Sequence, residues 1–206
     1  EQALALDGGP VILADPWDNP GGGVAGDSTF LTEQLLARPD VPAASGALWD
    51  PVAVSLCRAA GPGAVMPLRF GGKAAATSGA PIDATVTVKA VTEDLRIRFQ
   101  ESIVSLGAAA AVSVGLLDVV LASGRAQTFS PMAFTELGID LSAKKIVAVK
   151  SANHFYAAFA PIARAVLYVD CDGPFPRDPR RVPYTKVRRP ISPLDPNPWL
   201  ADRDGE

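Results

Sequence analysis

One loop concentrates the residue types that could shape a binding site. Residues 15–29 contain four glycines, two prolines and three aspartates between an apolar run and an amphipathic run. Glycine allows positive φ and close approach of the backbone to a ligand, whereas proline fixes φ and removes a hydrogen-bond donor. Loops at strand ends often carry function, so the centre of this loop supplies candidate substrate-binding residues. These are Asp18, Asn19, Gly21, Gly22 and Gly23. The alternative for Asp18 and Asn19 is an Asx turn that closes the loop on itself.

The same loop partly matches two nucleotide-binding patterns. Gly21-x-Gly23-x-x-Gly26 fits the dinucleotide fingerprint, and the segment through Ser28 nearly fits the P-loop. The P-loop needs a lysine where this sequence has Asp27, and the dinucleotide fold needs its first glycine almost directly after the strand. We predict instead that Asp27 or Ser28 caps the following helix, which leaves no open N-terminus for a phosphate. Nucleotide binding is therefore not favoured.

Four polar residues elsewhere lie in settings typical of binding sites. Lys73 follows two glycines and could bind a substrate carboxylate, although a solvated turn lysine is an equal alternative. Lys150 and Ser151 end an apolar run, and the carboxyl ends of strands are where α/β sheets place ligands. His154, the only histidine, could act as an auxiliary catalytic residue in a cleft or as a hydrogen-bonded structural residue.

The sequence does not supply a conventional zinc site. Zinc usually takes several His or Cys ligands, and the chain has one histidine and two widely separated cysteines, Cys57 and Cys171. We therefore expect no metal on this chain. The cysteines are expected to be reduced, with a disulfide left open. Ser28 lacks the G-x-S-x-G setting of an activated nucleophile.

Composition favours an ordinary globular protein. The 206 residues are 48% hydrophobic and 20% charged, with a formal net charge of −3. This charge gives no reason to expect nucleic acid, and no apolar run reaches the length of a transmembrane helix. No signal peptide is visible, so we expect a cytoplasmic protein.

Strands and helices that alternate at both ends of the chain must position these residues. That alternation predicts an α/β fold with a mixed β-sheet and packed helices. The expected elements are a central strand at 11–14, a helix at 29–38, strands at 46–49 and 64–70, a helix from Asp50-Pro51 to about Ala60, a short helix from Ser130-Pro131, and strands at 145–150 and 164–170.

The middle of the chain, from 83 to 122, is predicted to be an antiparallel hairpin region. Residues 83–91 alternate, and residues 92–94 suit a turn to a second strand at 95–99. Two more strands flank Gly115. Four side chains of the first strand are expected on one face: Ala84, Val86, Val88 and Ala90.

The chain changes character at residue 173. We predict that residues 1–172 form the α/β domain and that 173–206 form an extended proline-rich tail packed on it through apolar anchors such as Tyr184, Ile191 and Trp199. The tail is basic, but it lacks the interleaved aromatic residues of a single-strand binding platform.

With these motifs in hand, the sequence resembles the C-terminal domain of the microcystinase C-like (MlrC-like) metallopeptidases, the M81 family. The matching stretches occur in the family's order. They are Asp18-Asn-Pro-Gly-Gly-Gly23, Gly26-Asp-Ser-Thr29, Leu68-x-x-Gly71-Gly-Lys73, Asp118-Val-Val-Leu-x-Ser123 with Gln127, Gly138-Ile-Asp140, Lys150-Ser151, His154-Phe155, Phe159-Ala-Pro-Ile162 and Arg189-Pro-Ile191.

The resemblance implies a two-domain hydrolase of peptide bonds. In that family a larger N-terminal domain carries the catalytic zinc, and the C-terminal domain packs against it and helps to shape the substrate cleft. The named family substrate is a linearised cyclic peptide toxin, microcystin. This chain would then need zinc only in the full-length protein, its partners would be the N-terminal domain and a peptide, and alone it would be inactive.

Two other functions stay open. A small anionic ligand could bind the glycine-rich amides together with Lys73 and Lys150. The chain could also be a structural or homo-oligomerising domain.

Overall fold

The computed structural model describes residues 1–170 and 178–196. The chain divides into two compact units, residues 1–174 and residues 175–206. Cys171 and Trp199 lie outside the described residues, so the sequence predictions for them stay predictions.

Ten strands are found in the described part of the first unit. They are β1 (Val11–Ala14), β2 (Ala43–Trp49), β3 (Val65–Phe70), β4 (Ile82–Thr92), β5 (Arg96–Phe99), β6 (Ser102–Ser105), β7 (Ala109–Val114), β8 (Leu117–Ala122), β9 (Ile146–Val149) and β10 (Ala165–Tyr168). The α-helices of this part are α1 (Gln2–Ala5), α2 (Phe30–Leu36), α3 (Pro51–Ala60), α4 (Met132–Thr135) and α5 (Tyr156–Phe159).

Eight strands form one mixed sheet in the order β10-β1-β9-β2-β8-β7-β4-β3. The pairs from β10 to β8 are parallel, and the pairs from β8 to β3 are antiparallel. The mixed α/β sheet expected from the sequence is thus confirmed. Its parallel half brings the carboxyl ends of β1, β9, β2 and β8 to one edge, where α/β folds place ligands.

Two hydrophobic cores cover the two faces of this sheet. Helices α1, α2 and α3 pack on one face, where Leu35 and Cys57 are buried. Helices α4 and α5 pack on the other face together with β5, through Phe134, Phe155 and Ile97. The side chains of β1 alternate between the two cores, which explains why the sequence of β1 is apolar throughout.

Helix α3 begins and ends where the sequence predicts. The carboxylate of Asp50 accepts a hydrogen bond from the backbone N–H of Ala53 at 3.0 Å, and Pro51 occupies the first helical position. Gly61 follows the last turn with φ of +81°. Within the helix Cys57 is a buried free thiol, and burial, assisted by the charge of Asp50, raises the pKa of Cys57 to about 11.

The predicted hairpin between residues 83–91 and 95–99 is wrong. β4 pairs with β3 and β7, whereas β5 pairs with β6 in a separate two-stranded antiparallel sheet. The reason is that Leu95 and Ile97 bury themselves in the second core, against α4. The other predicted hairpin is confirmed, since β7 and β8 are paired around Gly115.

The predicted single face of β4 is also interrupted. Val86 and Val88 lie in the first core, but Ala90 packs in the second. A register shift between Val88 and Ala90 separates them, and one extra residue in a strand turns every following side chain to the opposite face.

In the second unit, residues 178–196 form turns held by local ion pairs. Asp178 caps the short 3-10 helix Pro179–Arg181, and Arg189 binds both carboxylate oxygens of Asp195. Hydrogen bonds from Arg189 and from the backbone lower the pKa of Asp195 to about 2. Tyr184 and Ile191 are exposed, and the predicted packing of this tail on the domain stays a prediction.

No helix in residues 1–170 or 178–196 is both long and apolar enough to cross a lipid bilayer.

Candidate functional site

A buried ion cluster lies at the carboxyl edge of the parallel strands. Lys150, directly after β9, places its ammonium 2.9 Å from Oδ2 of Asp18 and 3.5 Å from Oδ2 of Asp15, which follows β1. All three residues are at most 5% exposed. We call these three residues the lysine cluster. It joins the glycine-rich loop to the ends of two adjacent strands.

The lysine in this cluster is held in its charged form. Burial on its own lowers the pKa of Lys150, but the carboxylates of Asp15 and Asp18 outweigh burial and raise the pKa above that of an ordinary lysine. The carboxylate of Asp18 also has backbone hydrogen-bond donors. Asp18 accepts the backbone N–H groups of Gly26 at 2.9 Å and Ser28 at 2.6 Å. The cluster therefore fixes the loop rather than offering free groups to a ligand.

The glycine-rich loop also closes on itself. The side chain of Asn19 accepts the N–H of Gly21 at 2.9 Å, which is the Asx turn given as the alternative. The N–H groups of Gly22 and Gly23 donate to the carbonyls of Asn19 and Pro20. These amides are thus already bonded, while Gly21, Gly22 and Gly23 themselves lie exposed at the surface.

The predicted helix cap at Asp27 or Ser28 is wrong. The N-cap of α2 is Thr29, and its side chain bonds the carbonyl of Ala80 at 2.8 Å. The Asp27 carboxylate instead accepts the N–H groups of Lys73 at 2.7 Å and Ala74 at 2.8 Å, and the hydroxyl of Ser78 at 2.6 Å. A contact far along the chain has replaced the local cap.

Lys73 belongs to a neighbouring cluster and not to the lysine cluster. Its ammonium lies 2.6 Å from Oδ2 of Asp50, the residue that caps α3, and the same oxygen accepts the N–H of Gly71 at 2.9 Å. Asp50 is 2% exposed. The loop after β3 is therefore tied to the end of β2, and the ammonium of Lys73 is already paired.

The remaining two predicted site residues are joined by a third side chain. The hydroxyl of Ser151 donates to Oε1 of Gln127 at 2.8 Å, and Nε2 of Gln127 lies 3.3 Å from Nδ1 of His154. Because Oε1 accepts from Ser151, the amide N–H₂ faces the imidazole. Nδ1 is then an acceptor, and the proton of neutral His154 lies on Nε2.

Neighbouring contacts hold Gln127 in place. The N–H of Thr128 donates to the carbonyl of Lys150, and the Thr128 hydroxyl bonds Gly46 and Ala47 in β2. Gly21 packs against the Gln127 amide, so that a Cβ at this position would overlap Nε2. The loop and the segment after β9 therefore meet at Gln127, and the adjacent Thr128 ties this point to β2.

His154 is exposed and borders a groove of about 530 Å³. Phe99 from the β5–β6 hairpin and Phe129 stack at 4.3 Å between ring centroids, and the imidazole lies 5.2 Å from the Phe99 ring. A groove of this size, with aromatic walls and a few polar groups, is typical of small-molecule and peptide-side-chain sites.

Within the described residues, no group of three or more His, Cys, Asp or Glu side chains could hold a metal ion. The acidic residues of the site are bonded to lysines and backbone amides, so they do not fit zinc. The anion-binding alternative is not favoured either, because both lysines and the loop amides are already bonded.

Four residues of this arrangement were named from the sequence, and four others were not. The named residues are Asp18, Lys150, Ser151 and His154, and the structure brings all four to one edge. No site role was assigned to Asp15, Gln127, Asp27 or Asp50. Asp15 and Asp50 directly follow strands, and Asp27 lies in the glycine-rich loop, so these positions could have indicated site residues from the sequence. Gln127 carries no such pattern.

Taken together, these features define an α/β domain whose sheet edge carries an internally hydrogen-bonded glycine-rich loop, a buried lysine cluster and a histidine beside an aromatic groove. The chain belongs to the MlrC C-terminus family, whose model matches residues 13–186. It is 36% identical to Microcystinase C from Sphingomonas sp. over 196 residues. That match covers 95% of this chain but 38% of the relative, so the chain spans well under half the length of this relative.

A solved structure is similar to this chain in both fold and sequence. A crystal structure from Mesorhizobium sp. BNC1, of a protein classed provisionally as a metallopeptidase, superposes with a TM-score of 0.81 at 26% identity. The match covers 94% of this chain and 39% of that one. Both comparisons confirm the resemblance found in the sequence motifs.

Proposed function

We propose that this chain is the C-terminal, substrate-shaping domain of a zinc-dependent, peptide-bond hydrolase of the M81 type, in the cytoplasm. Its zinc would be held by an N-terminal domain of the full-length protein, since the described residues offer no fitting ligand set. Family membership and the partial coverage of both relatives support a domain of a larger enzyme.

One observation carries the proposal. At a single sheet edge, buried ion pairs and the Ser151–Gln127–His154 chain hold exposed groups: the glycines of the loop and the imidazole of His154. Buried support beneath exposed contact groups is what a preorganised binding surface requires. In this arrangement Lys150 and Asp18 are positioning residues. His154 and the exposed surface of Gly21 to Gly23, whose N–H groups are already bonded within the loop, would contact the peptide.

The test compares the 206-residue chain with the full-length gene product for bound zinc and for hydrolysis of unlabelled peptides. We expect the long form to bind zinc and to cleave peptides, and this chain to do neither. In the long form, His154→Ala should lower kcat/KM by about tenfold or more, because a positioned polar contact to the substrate is removed.

The matched control is Glu136→Gln, which changes an exposed residue after α4 and should leave kcat/KM unchanged. Zinc or hydrolytic activity in the 206-residue chain alone would contradict the proposal. So would a full-length product that neither binds zinc nor cleaves any peptide.

A further inference from the structure

The groove beside His154 contains a polar atom that the fold leaves unsatisfied. Ser130 lines this groove and is 5% exposed, yet its hydroxyl has no hydrogen-bond partner among the described residues. A buried polar group without a partner is costly, and native proteins keep few of them. A ligand in the groove would supply the missing partner after a small movement of the lining, because the hydroxyl oxygen itself has less than 1 Å² of accessible surface.

The polar groups around Ser130 are arranged as donors. His154 presents Nε2–H, because its Nδ1 faces the amide of Gln127. Asn153 accepts the hydroxyl of Tyr168 at Oδ1 over 2.8 Å, which leaves its N–H₂ to donate. Arg98, whose side chain carries a guanidinium, also lines the groove. Within the described part of the chain, no carboxylate lines it.

The apolar part of the groove is a stacked aromatic wall. Phe99 and Phe129 are parallel to within 25°, and both are only partly buried. A flat ring is the ligand group that such a wall accommodates best, because offset and edge-to-face aromatic pairs are favourable beyond their buried area. The donors beside the wall require an acceptor, and a guanidinium favours a carboxylate.

We propose that this groove binds the carboxyl-terminal residue of a peptide, with an aromatic side chain against Phe99 and Phe129 and the free α-carboxylate on Arg98, Ser130 and His154. This inference rests on the proposed function, because it names the class of peptide that the domain would present. A volume of about 530 Å³ accommodates one such residue and part of its neighbour.

The test uses the zinc-loaded full-length gene product and two probes that differ only in charge, N-acetylphenylalanine and N-acetylphenylalaninamide. Calorimetric titration should show that the acid binds at least about tenfold more tightly than the amide. Arg98→Ala should remove this preference, and Ser130→Ala should weaken the acid severalfold. Arg96→Ala is the matched control. It removes the same charge from the same face of β5, but Arg96 pairs with Asp94 and does not line the groove.

Equal binding of acid and amide would overturn the inference, and so would an Arg96→Ala variant as impaired as Arg98→Ala. Absence of binding in a protein that cleaves peptides would overturn this inference alone. If the acid binds through Arg98 but no form cleaves a peptide, the groove assignment stands and the proposed function fails.

Discussion

At the scale of single residues, His154 offers a direct test of the site. The structure places Nδ1 of His154 against the amide of Gln127, so the neutral ring should carry its proton on Nε2. Because His154 is the only histidine in the chain, its ring nitrogens give an unambiguous NMR signal. We expect the Nε2–H tautomer to dominate in the neutral ring.

Gln127→Ala should return the ring to a mixture of tautomers, since no amide then orients it. The control is Gln34→Ala, which removes an exposed amide on α2 and should leave the ring signals unchanged. An Nδ1–H tautomer in the unsubstituted protein would contradict the assignment of the Gln127 amide.

The lysine cluster makes a prediction about stability. Lys150→Met leaves Asp15 and Asp18 buried without a cation, so we expect a loss of about 3–5 kcal/mol in the free energy of unfolding. Lys89→Met is the matched control. Lys89 is part exposed, and its partner Asp118 keeps a second lysine, Lys144, at 2.8 Å. That change should cost no more than about 1 kcal/mol. Urea denaturation measures the free energy of unfolding of both variants.

The same lysine sets the pH at which this contribution disappears. Its pKa is raised above the ordinary value of 10.5, mainly by Asp15 and Asp18 acting against burial. The contribution is therefore fully present below the ordinary lysine pKa and is lost as pH rises through the higher folded-state pKa. The stability gap between the native chain and Lys150→Met should stay constant at neutral pH and narrow only at strongly alkaline pH.

At the scale of elements, the loop can be tested with two adjacent glycines. A Cβ at Gly21 would overlap the amide of Gln127, whereas a Cβ at Gly22 would meet open space. Gly21→Ala should push the Gln127 side chain aside and shift the His154 signals, with a stability loss of about 1 kcal/mol or less because a flexible side chain can yield. Gly22→Ala should change neither. Equal effects of the two substitutions would mean that the loop does not contact Gln127 as described.

The elements also show what the sequence could and could not predict. Apolar runs were sufficient for β1 and β9, and local chemistry at Asp50-Pro51 was sufficient for α3, because each depends on neighbours in the chain. The partner of β5 was not predictable from a local turn signal, since Leu95 and Ile97 are drawn to a core built from distant residues. Asp27 was mispredicted for the same reason: its partners are Lys73, Ala74 and Ser78.

The candidate site shows the same division. A glycine-rich loop and polar residues at strand ends are visible in a sequence, so Asp18, Lys150 and His154 could be named. The partners of these residues could not be predicted from the sequence. Asp18 bonds a lysine 132 positions away. Gln127 follows β8 and reaches Ser151 and His154 after β9, across the end of β2, which pairs with both strands.

At the scale of the whole molecule, the parallel half of the sheet joins the two ends of the first unit. Val11 in β1 is opposite Ile146 in β9 and Ala165 in β10, whereas β3, β4, β7 and β8 pair within a short stretch of chain. Pairings between distant residues close large loops and form slowly. During refolding, pulsed hydrogen exchange should therefore protect amides of β4, β7 and β8 before those of β1 and β10.

Protection of all the strands at the same rate would contradict this order. The order itself has a consequence for a chain that emerges from the ribosome. The antiparallel half can fold while β9 and β10 are still being synthesised, and Lys150 reaches Asp18 only afterwards. The edge that carries the candidate site would thus be the last part of the domain to be completed, and a chain interrupted before residue 150 would carry a folded half-sheet without the lysine cluster.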